Sequence, residues 1–171
     1  MGILKIIETE RLYLRALKMD DHHELSKVLS DPESMQYYPH PFNQEEVKNW
    51  IRWNEKNYKQ YNHGLWAVVL KEGDLFIGDC GITMQNIDGV WLPEIGFHII
   101  KAYWNKGYAT EAASACKEYA WNVLGNSEIF SYTTLKNIPS QKVAEKIGME
   151  NYKIFEKNGE QQIVQVAYKS L

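Results

Sequence analysis

The chain has 171 residues, 44% of them hydrophobic and 24% charged, which suits one domain with a substantial core and leaves too little for two well-filled ones. Its formal charge of -3 comes with scattered lysines, so there is neither a basic run for a nucleic-acid groove nor an acidic tail, and an anionic ligand has to be met by a local site. Two cysteines, Cys80 and Cys116, lie far apart with no C-x-x-C pair, the pattern of small reduced core residues rather than of a disulfide scaffold.

The N-terminal "MGILKIIETERLYL" lacks the apolar core of a signal peptide, and Ile6 stands where a myristoylation signal wants Ser or Thr. No run is long enough to span a membrane, so a cytoplasmic protein with no membrane and no nucleic-acid partner is expected. After the polar "ETE", the stretch "RLYLRAL" alternates Leu12, Leu14 and Ala16 against Arg11, Tyr13 and Arg15, a strand with one buried face. Asp21 with Glu24 three residues later resembles a capping box, and it opens a first helix whose stripe is Leu25, Val28 and Leu29, stopped by "SDPES". A second helix starts at Asn43, with Glu46 at its third position and Val47, Trp50, Ile51, Asn54 and Tyr58 at helical spacing. Trp50 and Trp53 read as packing of that helix, and the aromatic loop "MQYYPHPF" lies between the two helices.

The runs "LWAVVL" and "LFIGDCGITM" flank the turn "KEGD" as an antiparallel hairpin, and "VWLPEIGFHII" follows "NIDG" as a third strand. Gly96 inside that strand reads as weakened packing or the close approach of another backbone. The strand leads into "YWNKGYATEAASACKEYAW", a helix carrying Ala112, Cys116, Tyr119, Ala120 and Val123 on one face. Next come the strand "EIFSYTTL", a short helix from Pro139 to Ile147 closed by Gly148, and a hairpin at Asn158-Gly159 joining "YKIFEK" to "QQIVQVAY". This order predicts a single α+β domain over residues 1–171, with a mixed, mostly antiparallel sheet and helices on its faces.

The helix after "YWNKG" begins on small residues. A helix N-terminus leaves its first amides unpaired and carries about half a positive charge, so it takes phosphate wherever the backbone can be approached. Gly107 and Ala109, preceded by Asn105 and Lys106, would let a diphosphate settle on the amides from Asn105 to Thr110; the same residues also suit a tight turn whose alanines pack against a sheet. The orders G-x-x-x-x-G-K-[ST] and G-x-G-x-x-G are both absent. The five histidines form no H-E-x-x-H set, and no metal site is expected.

Four blocks, "TERLYLRAL" with "SDPESMQYY", "LFIGDCGI", "PEIGFHIIKAYWNKGYATEA" and "NIPSQKVAEKIGME", resemble the GNAT superfamily of acyl-CoA-dependent N-acetyltransferases, in the branch of the RimJ/RimL-type ribosomal-protein N-terminal acetyltransferases. The third block is the most specific, since strand, pyrophosphate loop and helix occur together in that order. The superfamily loop reads Q/R-x-x-G-x-G/A; here Trp104 holds the first position, which removes a polar side chain, while Gly107 and Ala109 are kept. The resemblance implies acetyl-CoA as co-substrate, inserted between splayed central strands. Its pyrophosphate would lie on Trp104, Asn105, Lys106, Gly107, Tyr108, Ala109 and Thr110, and its pantetheine arm against the backbone of Phe97, His98 and Ile99, with Asn137 bonding that arm or the adjacent backbone.

Acetyl transfer needs a neutral amine and benefits from a proton for the departing thiolate. At pH 7 an α-amine of pKa near 8 is about one-tenth neutral, and a lysine near 10.4 about one part in 2,500. Glu94 shares a strand face with His98 and resembles the strand glutamate that serves the family as general base, acting through water; His98 is the spare base. The family's usual acid, a tyrosine in L-Y-E-K, is replaced by Ala144 in "VAEK". Ser140 of "NIPS" resembles the serine of the RimL-like branch and is the candidate acid, although Asn137, Pro139 and Ser140 also make a sensible helix start with no chemistry. Tyr37 and Tyr38, with His40 and Phe42, fall in the loop that walls the acceptor side in this family. The expected activity is therefore transfer of an acetyl group to a primary amine, peptide N-terminal or small-molecule, by a monomer or homodimer. A polyamine or aminosugar acetyltransferase and a non-catalytic CoA-binding module are the alternatives.

Overall fold

A computed structural model describes residues 2–171; Met1, with which the single-domain reading begins, lies outside them. The strands are β1 (Ile7–Glu8), β2 (Leu12–Ala16), β3 (Leu65–Leu70), β4 (Leu75–Ile87), β5 (Val90–Ile99), β6 (Glu128–Thr134), β7 (Glu150–Lys157) and β8 (Glu160–Tyr168). The helices are α1 (His22–Leu29), α2 (Gln44–Tyr61), α3 (Tyr108–Asn122) and α4 (Ile138–Lys146). The strands form one sheet in the order β1-β2-β3-β4-β5-β6-β8-β7, antiparallel throughout except where β5 meets β6. This is the α+β architecture expected from the order of periodic segments, with β1 as a short addition that precedes the predicted first strand.

Local chemistry explains the well-defined joints. Asn43 caps α2 by accepting from the Glu46 N–H at 2.8 Å, while the Glu46 carboxylate accepts from the Asn43 N–H at 3.0 Å, a reciprocal pair that satisfies two helix-end donors. The β4–β5 hairpin turns on Asp88 and Gly89, with φ of 51° and 87°, the two positive angles a two-residue hairpin turn requires. Two expectations about helix ends fail. Asp21 does not cap α1, because its carboxylate is taken by Arg15 at 2.8 and 2.9 Å and by the Lys18 N–H at 2.9 Å. Val123 is 62% exposed, since α3 ends before it, and Trp121 fills the buried position instead.

The sheet is covered on both faces. Leu17, Leu25, Val28, Leu29, Val47 and Ile51 pack with Leu65 and Ala67 on the α1–α2 side. Trp66, Val68, Cys80, Ile95, Ala112, Cys116 and Ala144 build the larger cluster under α3 and α4. Small residues let α3 lie close to the strands, as its alanines suggested, and the two cysteines meet there with Sγ atoms 3.7 Å apart. The register of β4 on β5 pairs Asp79 with His98, Gly81 with Gly96 and Thr83 with Glu94. Directly paired residues share a face, so these six positions form one stripe beneath α1 and α2.

Candidate active site

The sheet opens at its centre. Between β5 and β6 the parallel ladder consists of the bridge Glu94 to Phe130, and beyond it the strands part. The Ile100 N–H bonds back to Ile77 on β4, so strand alternation turns the backbone groups of Phe97 and Ile99 the other way, toward the opening. Of the two readings of Gly96, close approach of another backbone does not apply: a Cβ there would meet only the Leu65 side chain, with Cδ2 at 3.5 Å.

Glu94 sits half-buried at this opening and accepts a hydrogen bond from the Tyr132 backbone N–H at 3.0 Å. Burial pushes its carboxyl up to about 8, against the opposing pull of the Tyr132 N–H, His98 and Lys157. At pH 7 such a carboxyl is ionised in about one molecule in eleven.

Across Gly96 from Glu94 lies a group that sequence reasoning only half assembled. His98 Nδ1 is 2.7 Å from Asp79 Oδ1, and His98 Nε2 is 2.6 Å from the Tyr38 hydroxyl. The other Asp79 oxygen accepts from the Trp50 indole N–H at 3.0 Å. Asp79 is wholly buried, and His98 retains 11% of its side-chain exposure. Burial alone would lower the His98 pKa, but the charge and hydrogen bond of Asp79, with Glu94 behind them, outweigh it and hold the ring above its ordinary value. Burial raises the Tyr38 pKa, and Glu94 and Asp79 raise it further. Of the two candidate tyrosines, Tyr38 therefore reaches the sheet, while Tyr37 is half-buried in the loop beside it. Phe42 and Trp53 flank Trp50 with centroids 5.6 and 5.2 Å away, and the three rings with Glu46, Asn49 and Gln85 line an open depression beside this group.

The loop before α3 is built for close approach. Asn105 and Gly107 have φ of 61° and 82°, and Gly107 is the N-cap residue, so the amides that follow it at Tyr108, Ala109 and Thr110 open the helix without intrahelical partners. A Cβ on Gly107 would meet the Arg11 guanidinium at 3.3 Å. Arg11 itself donates to the Lys106 carbonyl at 2.9 Å and to Glu111 at 2.7 Å, and stacks 4.4 Å above the Tyr108 ring. Glu111 also accepts from Thr9 at 2.6 Å and from the Arg11 N–H at 3.0 Å. The carboxylate at the helix start is thus neutralised and does not oppose an anion on the amides. Trp104 turns its indole N–H to the Ile99 carbonyl at 2.7 Å, which ties the loop to the end of β5. Free amides, a left-handed glycine and a fixed guanidinium together suit a diphosphate.

At α4 the Asn137 side chain accepts from the Ser140 N–H at 3.3 Å and donates to the Thr133 hydroxyl at 2.9 Å. Asn137 therefore bonds the adjacent backbone, the second of its two expected roles, and caps the helix, with Pro139 at the second helical position. Ala144 is 1% exposed and belongs to the core under α3.

Asp79, Arg11, Glu111 and Trp50 carry much of this geometry, and sequence reasoning assigned none of them a role in the site. Asp79 had left a signal, since an aspartate inside the apolar run "LFIGDCGI" is a buried charge that needs partners. The Arg11–Glu111 pair spans 100 residues, and nothing in either local segment announces it.

Known proteins share this architecture. The acetyltransferase (GNAT) domain family matches residues 11–150. The uncharacterized N-acetyltransferase YnaD of Bacillus subtilis (strain 168) is 33% identical over 152 residues, covering 88% of this chain and 86% of its own. The crystal structure of the acetyltransferase from Agrobacterium tumefaciens str. C58 superposes with a TM-score of 0.84 at 25% identity, over 99% of this chain and 96% of that one. RimL, the ribosomal L7/L12 alpha-N-protein acetyltransferase in complex with coenzyme A, shares the fold with a TM-score of 0.79 at 15% identity, over 96% and 98% of the two chains. The chain belongs to the GNAT family of N-acetyltransferases.

Proposed function

We propose that the protein transfers an acetyl group from acetyl-CoA to a primary amine, of a peptide N-terminus or a small molecule, by direct attack with both substrates bound. One observation carries this reading: the strands part immediately past Glu94, in line with a helix start whose amides are open beside Gly107. The CoA held by RimL, whose fold is shared, adds support for the co-substrate. The residues fit it, because Gly107 carries no side chain, Arg11 neutralises Glu111 beside the open amides, and Lys106 adds a charge at the rim. Phe97 and Ile99 offer backbone groups to the pantetheine arm along the open edge of β5, with His98 between them. The Trp104 indole already occupies the Ile99 carbonyl, so the Phe97 groups and the Ile99 N–H carry that pairing.

The amine would enter from the α1–α2 face, where Tyr37, Tyr38 and the aromatic depression lie. Glu94 takes a proton from it through water, with increasing effect as the pH approaches 8. Ser140, half-buried at the start of α4, is the proton source for the thiolate, and water can replace it. We take the enzyme to be a single-domain cytoplasmic protein. The test is thiol release from acetyl-CoA with a panel of peptides differing in N-terminal residue, spermidine and glucosamine. Tight acetyl-CoA binding without thiol release on any amine, and no change in Glu94→Gln, would leave a binding module in its place.

A further inference from the structure

Glu94 holds its proton in most molecules at neutral pH, so a second group that takes the amine's proton by direct contact would add to its action there. The stripe on the α1–α2 face supplies one. Asp79 is buried with Trp50 on one oxygen and His98 on the other. A carboxylate can only accept, so the His98 nitrogen facing it carries the hydrogen, and in the neutral ring Nε2 is left with a lone pair. That lone pair takes the Tyr38 hydroxyl hydrogen at 2.6 Å. The Tyr38 oxygen then keeps its own lone pairs, on a residue that is 39% exposed.

We propose that Tyr38, His98 and Asp79 form the path by which the acceptor amine loses its proton, with Tyr38 touching the amine and His98 and Asp79 as positioning residues behind it. The inference rests on the amine-acetyltransferase reading above. From a neutral amine, the nitrogen lone pair forms the C–N bond to the thioester carbon, and the C–S bond breaks with its electrons on sulfur. One N–H proton passes to the Tyr38 oxygen while the Tyr38 proton passes to His98 Nε2. The products are a neutral amide, a thiolate and an imidazolium that faces the Asp79 carboxylate. The imidazolium returns its proton to water through Tyr38.

The groups facing His98 are Asp79 from β4, Tyr38 from the loop after α1, the uncharged Trp50 from α2, and Glu94 on its own strand. All the charged ones favour the protonated ring, so the path opens as the pH rises above the ordinary histidine value of about 6.5.

The full chain is assayed against the same amine panel. Tyr38→Phe removes one hydroxyl from a partly exposed ring, and is expected to lower kcat about 100-fold at pH 7 with acetyl-CoA affinity unchanged. His98→Gln is expected to remove the histidine step from the rising limb of the pH profile of kcat/KM, leaving the part set by the amine's own pKa, and that step persists in Glu94→Gln. A Tyr38→Phe variant within twofold of the parent, or a histidine step lost in Glu94→Gln and kept in His98→Gln, overturns the inference. A parent chain that gives thiol release with none of the amines in the panel overturns the acetyl-transfer reading instead. Nitrogen-15 NMR of the imidazoles gives an acceptor-free check: the neutral His98 ring is expected to carry its hydrogen on Nδ1, and a hydrogen on Nε2 contradicts the path.

Discussion

The Glu94 carboxylate accepts the Tyr132 backbone N–H at 3.0 Å, joining β5 to β6 at the point where the two strands begin to part. The bond places an acidic group where its charge is disfavoured, and stability as well as chemistry should register it. The folded carboxyl keeps its proton up to about 8, whereas an unfolded one releases it near 4.5. Between those values the folded state binds more protons, so this group makes stability fall as pH rises. Glu94→Gln cannot ionise and should be flatter. Its melting temperature should exceed the parent's by about 4 °C at pH 9, from roughly 1–2 kcal/mol after allowing for partial exposure, and converge with it toward pH 5. Thermal melts across that range check it; identical slopes for the two proteins would contradict the raised pKa.

In kinetics, Glu94→Gln should reduce turnover with little loss of acetyl-CoA affinity, and most for the acceptor of highest pKa. Steady-state rates on a lysine-like amine and on an α-amine separate the cases. Equal losses on both would make Glu94 a residue that holds the substrate rather than one that takes a proton.

The brace on the α3 start predicts a binding defect. Arg11→Ala frees the Lys106 carbonyl and leaves Glu111 uncompensated beside the open amides, so acetyl-CoA affinity should drop about 10-fold or more by titration calorimetry. Arg11→Lys should not restore it, because a single ammonium cannot reproduce the guanidinium fork. Gly107→Val should be worse still. Its side chain would press on the Arg11 guanidinium beside the proposed diphosphate seat, and the φ of 82° adds backbone strain that sequence alone did not reveal.

Asp79→Ala should destabilise the fold by about 3 kcal/mol, because the Trp50 N–H and the His98 ring lose a buried partner. Asp79→Asn retains an acceptor and should cost less. Denaturant unfolding of the two variants measures the difference, and equal midpoints would deny the carboxylate its structural role.

Much of the sheet was legible because turn chemistry fixes register. With a two-residue turn at Asp88-Gly89, Asp79 lies nine residues before the turn and His98 nine after it, so their pairing was implicit in the strand assignments. Drawing it out required treating Asp79 as a buried charge in search of a partner rather than as part of an apolar run. The start of α3 after Gly107 was legible as a turn into a helix, whereas its reading as a diphosphate seat came from the resemblance, since small residues suit a tight turn equally. The contact of Tyr38 with His98 was not legible, because it spans 60 residues through the path of an irregular loop. Cys80 and Cys116 looked unrelated for the same reason, and they touch because α3 packs directly on β4.

The indole of Trp104 fastens the end of β5 to the segment that starts α3. Strand and helix are thereby tied at a fixed joint, with Glu94 and His98 on one arm and the Gly107 amides on the other. In the proposed transfer, a donor held at its phosphate end would present its acyl carbon at a reach set by that joint.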